Sequence, residues 1–415
     1  MSLCSSERAR MKRCMGNRQR IRRTICQNDG RARLLRNSGC PVEKQNLESI
    51  CRYRNEAVFA RNAKCEEYIS TESMVANRGG ITPASSAPSD GKVKRYRKDD
   101  VLVSNIRPYF KKIWHASHDG ACSNDVLVFE ATKCDPSYLF WVLSSDAFFD
   151  YMMKTAKGTK MPRGDKKAIM GYQVGLPPVD QQKAICEILE SLQEKIALNN
   201  QLNGYLAALG ETMANRCSNE TDGTLDDICS QSKETVSLEA AQLETYVSTE
   251  NLLPNKAGLQ LSAGLPTSGK VTRYRKGDTL VANIRPYFKK IWCATDEGTC
   301  SGDVIVFRAN DARYAPYVFF SLCRDEFFEY VMLGAKGTKM PRGDKKQMMT
   351  FPICTNCNST DLQLLQELAS TIGANHAENR QLARLRDTLL PKLMSGEIDV
   401  SKVDPTQLNS HLADC

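Results

Sequence analysis

Apolar residues fall along this chain in two rhythms, and each rhythm occurs twice. The first is a short run bounded by turn residues: Asp100-Val-Leu-Val-Ser104 and Asp125-Val-Leu-Val-Phe129, then Asp278-Thr-Leu-Val-Ala282 and Asp303-Val-Ile-Val-Phe307. Short runs of that kind predict buried strands. Between Asp135 and Met153, Leu139, Phe140, Leu143, Phe148, Phe149 and Met152 gather on one helical side, which predicts a single helix. The second rhythm is a stripe at Ile185, Leu189, Leu192 and Ile196, in steps of four and three. Asn199 continues it, and after one shift it resumes at Leu202, Leu206, Leu209 and Met213. This predicts a long helix with a narrow coiled-coil seam, opened by Leu176-Pro-Pro-Val-Asp180 with Asp180 as N-cap. A second such helix is predicted from Thr360, with Gln363 completing a capping box. Its stripe runs Leu365, Ala369, Ile372, His376, Asn379, Leu382, Leu385 and Leu389, until Pro391 stops or kinks it.

The doubling is literal. Asn105-Ile-Arg-Pro-Tyr-Phe-Lys-Lys-Ile-Trp114 recurs letter for letter at 283–292, an offset of 178. Across 91–129 and 269–307, 28 of 39 positions are identical. One inserted residue near Asp311 moves the offset to 179, at which 157–167 recurs unchanged as 336–346. Tyr68-Ile-Ser-Thr-Glu72 answers to Tyr246-Val-Ser-Thr-Glu250, and Asn199 to Asn379. The expected fold class is α+β. Two duplicated globules are separated by long helices that pack as an antiparallel two-helix coiled coil, with a pseudo-twofold relation. The expected segments are a basic, disordered extension 1–42, globules 43–178 and 218–358, spacer helices 179–217 and 359–403, and a tail 404–415. A helix of about 35 residues is about 50 Å long, or about one to one and a half turns of DNA duplex.

Composition changes this picture in four places. The 415 residues exceed what one core supports. No apolar run is long enough for a membrane span, and the polar, Arg-rich start does not read as a secretory signal. Seventeen irregularly spaced cysteines suggest free thiols in a reducing cytoplasm. The net charge of +9 sits entirely in residues 1–42, which hold eleven basic and two acidic side chains. The rest balances at 46 against 46, so any nucleic-acid affinity of the body must come from clustered charge.

The chain resembles the specificity subunit of a type I restriction-modification system, over about residues 46–403. The words that carry the resemblance are the Tyr-Ile-Ser-Thr-Glu opening, Asp-Val-Leu-Val-Ser-Asn-Ile-Arg-Pro, Leu-Pro-Pro-Val-Asp-Gln-Gln, and Leu389-Leu-Pro-Lys-Leu-Met-Ser-Gly-Glu-Ile398. The resemblance implies two target-recognition domains, each binding half of a bipartite double-stranded DNA target. It also implies docking of two modification methyltransferase subunits and of restriction (translocase) subunits. S-adenosylmethionine, ATP and Mg would then belong to those partners, with no cofactor in this chain and a cytoplasmic location in a bacterium or archaeon. Arg107 and Arg285 suit guanine or phosphate, Lys111, Lys112, Lys289 and Lys290 suit phosphate, and Tyr109 and Tyr287 can stack. The loop words add Lys157, Thr159, Lys160 and Arg163, with Lys336, Thr338, Lys339 and Arg342; two glycines and a proline bracket Lys160 and Arg163, and likewise Lys339 and Arg342, which suits a loop that lets backbone approach a phosphate. Such similar copies imply nearly palindromic half-sites. Asymmetry is expected where the copies differ, at His115 against Cys293, His118 against Asp296 and Asn124 against Gly302.

Catalytic words are missing. Asp135-Pro-Ser-Tyr138 only faintly resembles an amino-methyltransferase motif and reads as a helix start. Cys354-Thr-Asn-Cys357 is a single pair without a second at zinc spacing, and there is no Walker A sequence. The expectation is therefore a subunit with no active site and no metal. The rival readings are a self-contained DNA methyltransferase or nuclease, and a coiled-coil protein-interaction adaptor.

Overall fold

The computed structural model describes residues 44–400 apart from 63, 65–66, 85, 218–220, 261 and 263. The expectations for 1–42, for 404–415 and for the end of the 359–403 segment lie outside the described residues. By its internal contacts the chain divides into unit 1, residues 1–192 with 385–415, and unit 2, residues 193–384.

Unit 1 holds strands β1 (Lys44–Asn46), β2 (Cys51–Tyr53), β3 (Ala57–Phe59), β4 (Tyr68–Ile69), β5 (Lys92–Tyr96), β6 (Val101–Ser104), β7 (Ile113–His115), β8 (Gly120–Cys122), β9 (Val126–Ala131) and β10 (Gln173–Gly175). One antiparallel sheet runs β2-β9-β6-β7. A second runs β3-β5-β8-β4, parallel only between β4 and β8, and β1 pairs with β10. Side chains alternate along a strand. Val101, Val103, Leu127 and Phe129 therefore enter a core with α1 (Pro136–Ser144), α2 (Asp146–Lys154), α3 (Lys166–Met170) and the start of α4 (Val179–Cys217). Leu102, Val126 and Val128 face the other way, against Ile69, Tyr96 and Cys122 of the second sheet. Both faces are covered, and the runs are apolar throughout for that reason.

Unit 2 repeats this order. Its strands are β11 (Gly223–Thr224), β12 (Cys229–Gln231), β13 (Thr235–Ser237), β14 (Tyr246–Val247), β15 (Lys270–Tyr274), β16 (Thr279–Ala282), β17 (Ile291–Cys293), β18 (Gly298–Cys300), β19 (Val304–Ala309) and β20 (Pro352–Ile353). The sheets run β12-β19-β16-β17 and β13-β15-β18-β14. Its helices are α5 (Leu225–Ile228), α6 (Ala315–Cys323), α7 (Asp325–Leu333), α8 (Lys345–Met349) and the unit's share of α9 (Ser359–Met394).

Four helix expectations need correction. The helix expected over 135–153 is two helices. Ser145 is extended (φ −65°, ψ 147°) and its hydroxyl accepts from Phe148 N at 3.2 Å, capping α2. Second, α4 opens at Val179, so Asp180 sits in the first turn, where its carboxylate favours the helix dipole. Third, α9 is capped by Asn358, whose Oδ1 accepts from Asp361 N at 2.9 Å while its Nδ2 donates to the Asp361 carboxylate at 2.6 Å. Thr360 and Gln363 lie inside the helix. Fourth, Pro391 does not stop α9, which continues to Met394 with the proline inside it.

The seam also differs from expectation. Ile185, Leu189, Leu192, Leu365 and Ile372 are buried, and Ile196, His376, Asn379, Leu382 and Leu389 are half-buried. Leu202 is 42% exposed and Leu209 50%, so neither belongs to the inward face. Buried Asn203 and close-packed Gly210 stand there instead, a Cβ on Gly210 lying 2.3 Å from the Phe320 ring. Steps of four and three thus run from Ile185 to Met213 with no shift. The apolar pattern alone points to Leu202 and Leu209 because the inward positions there are polar or glycine. On α9, exposed Leu385 gives way likewise to Arg386, whose side chain is only 11% exposed. Within unit 2, Asn199 Nδ2 donates to Asn379 Oδ1 at 2.9 Å and to Glu378 at 2.8 Å, while Asn375 donates to Asn203 at 2.8 Å. There the two helices run in opposite directions.

One buried charge pair is rebuilt between the copies. Asp100 is held by Arg54 through two hydrogen bonds of 2.7 and 3.0 Å. In unit 2 the position of Arg54 is Ser232, and Asp278 is held at 2.9 and 2.7 Å by Arg308, which stands where unit 1 has Glu130. The guanidinium has moved to the neighbouring strand while the carboxylate stayed.

Candidate nucleic-acid interface

Pro108 fixes its own φ near the helical value, and the turn around it needs unusual neighbours. Arg107 and Lys111 are both left-handed (φ 50°) on either side of the short turn Pro108–Phe110. Arg285 (φ 52°) and Lys289 (φ 49°) repeat this. Such backbone costs a non-glycine residue about 1–2 kcal/mol, so it persists only under constraint. The constraint is a second left-handed pair: Asn77 N donates to Phe110 O at 2.8 Å and Arg78 N to Lys111 O at 3.0 Å. Asn255 and Lys256 do the same to Phe288 and Lys289, at 2.9 Å each.

The other exact word forms a closed loop beside this turn. Lys157 and Arg163 exchange two backbone hydrogen bonds of 2.9 Å across Gly158–Pro162, with Gly158 at φ +91°. Arg107 N then donates to Pro162 O at 2.8 Å, and Gly164 N to Asn105 O at 3.3 Å. The twin contacts are Arg285 N to Pro341 O at 2.8 Å and Gly343 N to Asn283 O at 3.4 Å. The two words, distant in sequence, are thus one surface in each unit.

On that surface Tyr109, Lys157, Thr159, Lys160 and Arg163 are exposed, as are Tyr287, Lys336, Thr338, Lys339 and Arg342. Arg163 meets Asp125 and Arg342 meets Asp303, each at 3.2 Å. Lys157 meets Asp165 at 2.6 Å and Lys336 meets Asp344 at 3.4 Å. These pairs are solvated and therefore weak, so a phosphate can displace the carboxylate. Lys160 and Lys339 have no ion pair among the described residues. Arg107 and Arg285 are half-buried, with Nε enclosed and unpartnered in both copies.

The remaining four lysines have partners within their own units. Lys111 pairs with Asp146 at 2.7 Å and Lys289 with Asp325 at 2.8 Å; the Lys289 ammonium holds the Asp325 carboxyl below its usual range. Lys112 donates to Thr71 O at 2.6 Å and Lys290 to Thr249 O at 2.5 Å, and burial lowers both amines. They brace the turn from inside. His115 is likewise not on this surface: it stacks on Phe140 of α1, with centroids 5.5 Å apart. His118, Asn124, Asp296 and Gly302 are exposed. The residues that sequence reasoning missed are Asn77, Arg78, Asp125 and Asp146. Their recurrence as Asn255, Lys256, Asp303 and Asp325 was the available signal.

Asp135 caps α1, accepting from Ser137 N at 2.9 Å, as a helix start should. Among the described residues no three His, Cys, Asp or Glu side chains are placed to hold a metal, and no helix is long and apolar enough to cross a membrane.

Residues 41–207 match the family model described as Type I restriction modification DNA specificity domain. The chain is 30% identical over 108 residues to the Type I restriction enzyme EcoDI specificity subunit of Escherichia coli, covering 26% of this chain and 24% of that protein. It is 26% identical over 140 residues to the HindI specificity subunit of Haemophilus influenzae, covering 32% and 30%. The matched stretches thus span less than a third of these relatives. Among solved structures, a Type-I restriction-modification system S subunit from M. genitalium covers 86% of this chain and 97% of its own, at 14% identity and a TM-score of 0.48. At that score the superposition adds nothing to the fold described above.

Proposed function

We propose that the chain is the sequence-reading subunit of a type I restriction-modification complex, a reading supported by the match of residues 41–207 to the type I restriction modification DNA specificity domain. The observation that carries this reading is the two-word surface, rebuilt in both units around the 2.8 Å bonds Arg107 N–Pro162 O and Arg285 N–Pro341 O. Each copy offers exposed cations (Lys157, Lys160 and Arg163, or Lys336, Lys339 and Arg342) on a hydrogen-bonded backbone. That combination binds phosphate while fixing the register of base contacts. Segments 43–178 and 218–358 act as target-recognition domains, and segments 179–217 and 359–403 act as a coiled-coil spacer. Identical surfaces imply nearly identical, inverted half-sites.

Methyl transfer and cleavage belong to partner subunits. For them α4 offers Leu198, Leu202, Tyr205 and Leu209, an exposed apolar stripe in steps of four, three and four. We assign the stripe to a modification methyltransferase subunit, since apolar area left on a helix marks an interface. The test maps methylated bases in cells with and without this gene. An interrupted, near-palindromic motif that disappears with the gene supports the reading. In the reconstituted complex, Arg163→Ala with Arg342→Ala should weaken binding to all sequences and flatten the salt dependence by about two ion equivalents. Unchanged methylation and an unchanged salt slope would overturn it.

A further inference from the structure

The two-word surface carries more than charge. Tyr109, Phe110 and Met161 are 48%, 38% and 46% exposed, and their twins Tyr287, Phe288 and Met340 are 47%, 39% and 50% exposed. Elsewhere in the globules the large exposed hydrophobics are private to one copy: Phe59 answers to Ser237, Leu265 to Ala87 and Leu333 to Lys154. An apolar trio kept at equal exposure in both copies, while the other large exposed hydrophobics of the globules are not, has a use in both copies. Cations frame it on the same loop (Lys160, Arg163), which points to nucleic acid rather than to a protein or lipid surface.

We propose that this trio reads the C5-methyl group of a thymine, so that both half-sites carry an A·T pair at mirrored positions. The thymine methyl is the one apolar group that an intact duplex offers on a base edge in the major groove. The alternative is a wedge that unstacks a base step. The geometry disfavours it: the Tyr109 and Phe110 rings lie against each other, centroids 4.6 Å apart, and each is more than half covered. Tyr287 and Phe288 match at 4.7 Å. Rings that back one another present a shallow apolar seat, not a blade. The turn that bears them is rigid, as the paired left-handed residues require. A methyl contact repays rigidity, because its whole gain comes from close fit.

The inference rests on the DNA-reading function above, and the experiment separates the two. Full chain is reconstituted with its methyltransferase subunits, and binding to the mapped target is compared with targets in which each thymine in turn is replaced by deoxyuridine. One mirrored position per half-site should lose about fourfold, the transfer worth of one buried methyl. Replacing both should cost about sixteenfold. Phe110→Ala with Phe288→Ala, or Met161→Ala with Met340→Ala, should still bind but no longer distinguish thymine from uracil. A motif without a mirrored A·T pair overturns the proposal, as does a deoxyuridine scan with no effect at any position. A rise in 2-aminopurine fluorescence at an unstacked step, without any methyl effect, overturns it in favour of the wedge. Failure to bind the target at all removes the functional reading, and the thymine contact with it.

Discussion

The moved guanidinium permits a direct exchange between the copies. Arg54→Ser gives unit 1 the residue that unit 2 has at that position. The Arg54 and Asp100 side chains are 8% and 4% exposed, so both charges are desolvated. Removing one partner of a buried pair costs about 3–5 kcal/mol. Asp100 keeps the hydrogen bond from Arg97 N at 2.7 Å, which favours the lower end, about 3 kcal/mol. Glu130→Arg alone crowds a second guanidinium beside Arg54 and removes two carboxylate contacts, at 2.8 Å to Arg52 and 3.1 Å to Arg54. It should cost about 1 kcal/mol, because those contacts are partly solvated. The double variant recreates the Arg308–Asp278 arrangement and should recover most of the loss. A coupling energy of about 2–3 kcal/mol is expected, within the range for residues sharing one network. Urea unfolding reads this, with Trp292→Phe leaving only Trp114 and Trp141, both in unit 1, as fluorophores. The midpoint should fall by about 1–2 M for Arg54→Ser, at a slope of about 2 kcal/mol/M, and return in the double variant. A double variant no more stable than Arg54→Ser refutes the idea that the two arrangements are equivalent solutions.

Two further outcomes are expected. Leu202→Asp with Tyr205→Asp should leave thermal unfolding within about 0.5 kcal/mol of the parent, as surface changes do. It should abolish co-purification with the methyltransferase subunit, and retained co-purification would place docking elsewhere. His376 lies against Gly258, and burial first, then Arg380, pushes its pKa down to about 4. The unfolded chain therefore takes up the proton first. Stability from the neutral ring is full above about 6.5 and falls as pH drops toward 4, by on the order of 3 kcal/mol. His376→Gln should flatten unit 2's unfolding profile across that window, and an unchanged profile would show that the ring is solvated.

By itself the sequence determined the duplication, the strands at Val101–Ser104 and Val126–Ala131, and the two long helices, because each rests on local periodicity or on identity between copies. It also picked out both exact words. Only the tertiary structure decided that they form one surface. Their contact is a backbone hydrogen bond, Arg107 N to Pro162 O, and backbone pairing across a long separation leaves no mark in side-chain pattern. The same limit explains the lysines: Lys111 and Lys160 look alike in sequence, yet one is spent on Asp146 and the other is exposed without an ion pair among the described residues. The seam shows the converse. Asn203 and Gly210 hold inward positions because a partner amide and the Phe320 ring meet them there, so apolar pattern alone passed them over for Leu202 and Leu209. Periodicity is written in one stretch of chain, whereas partnership needs two, and folding supplies the second.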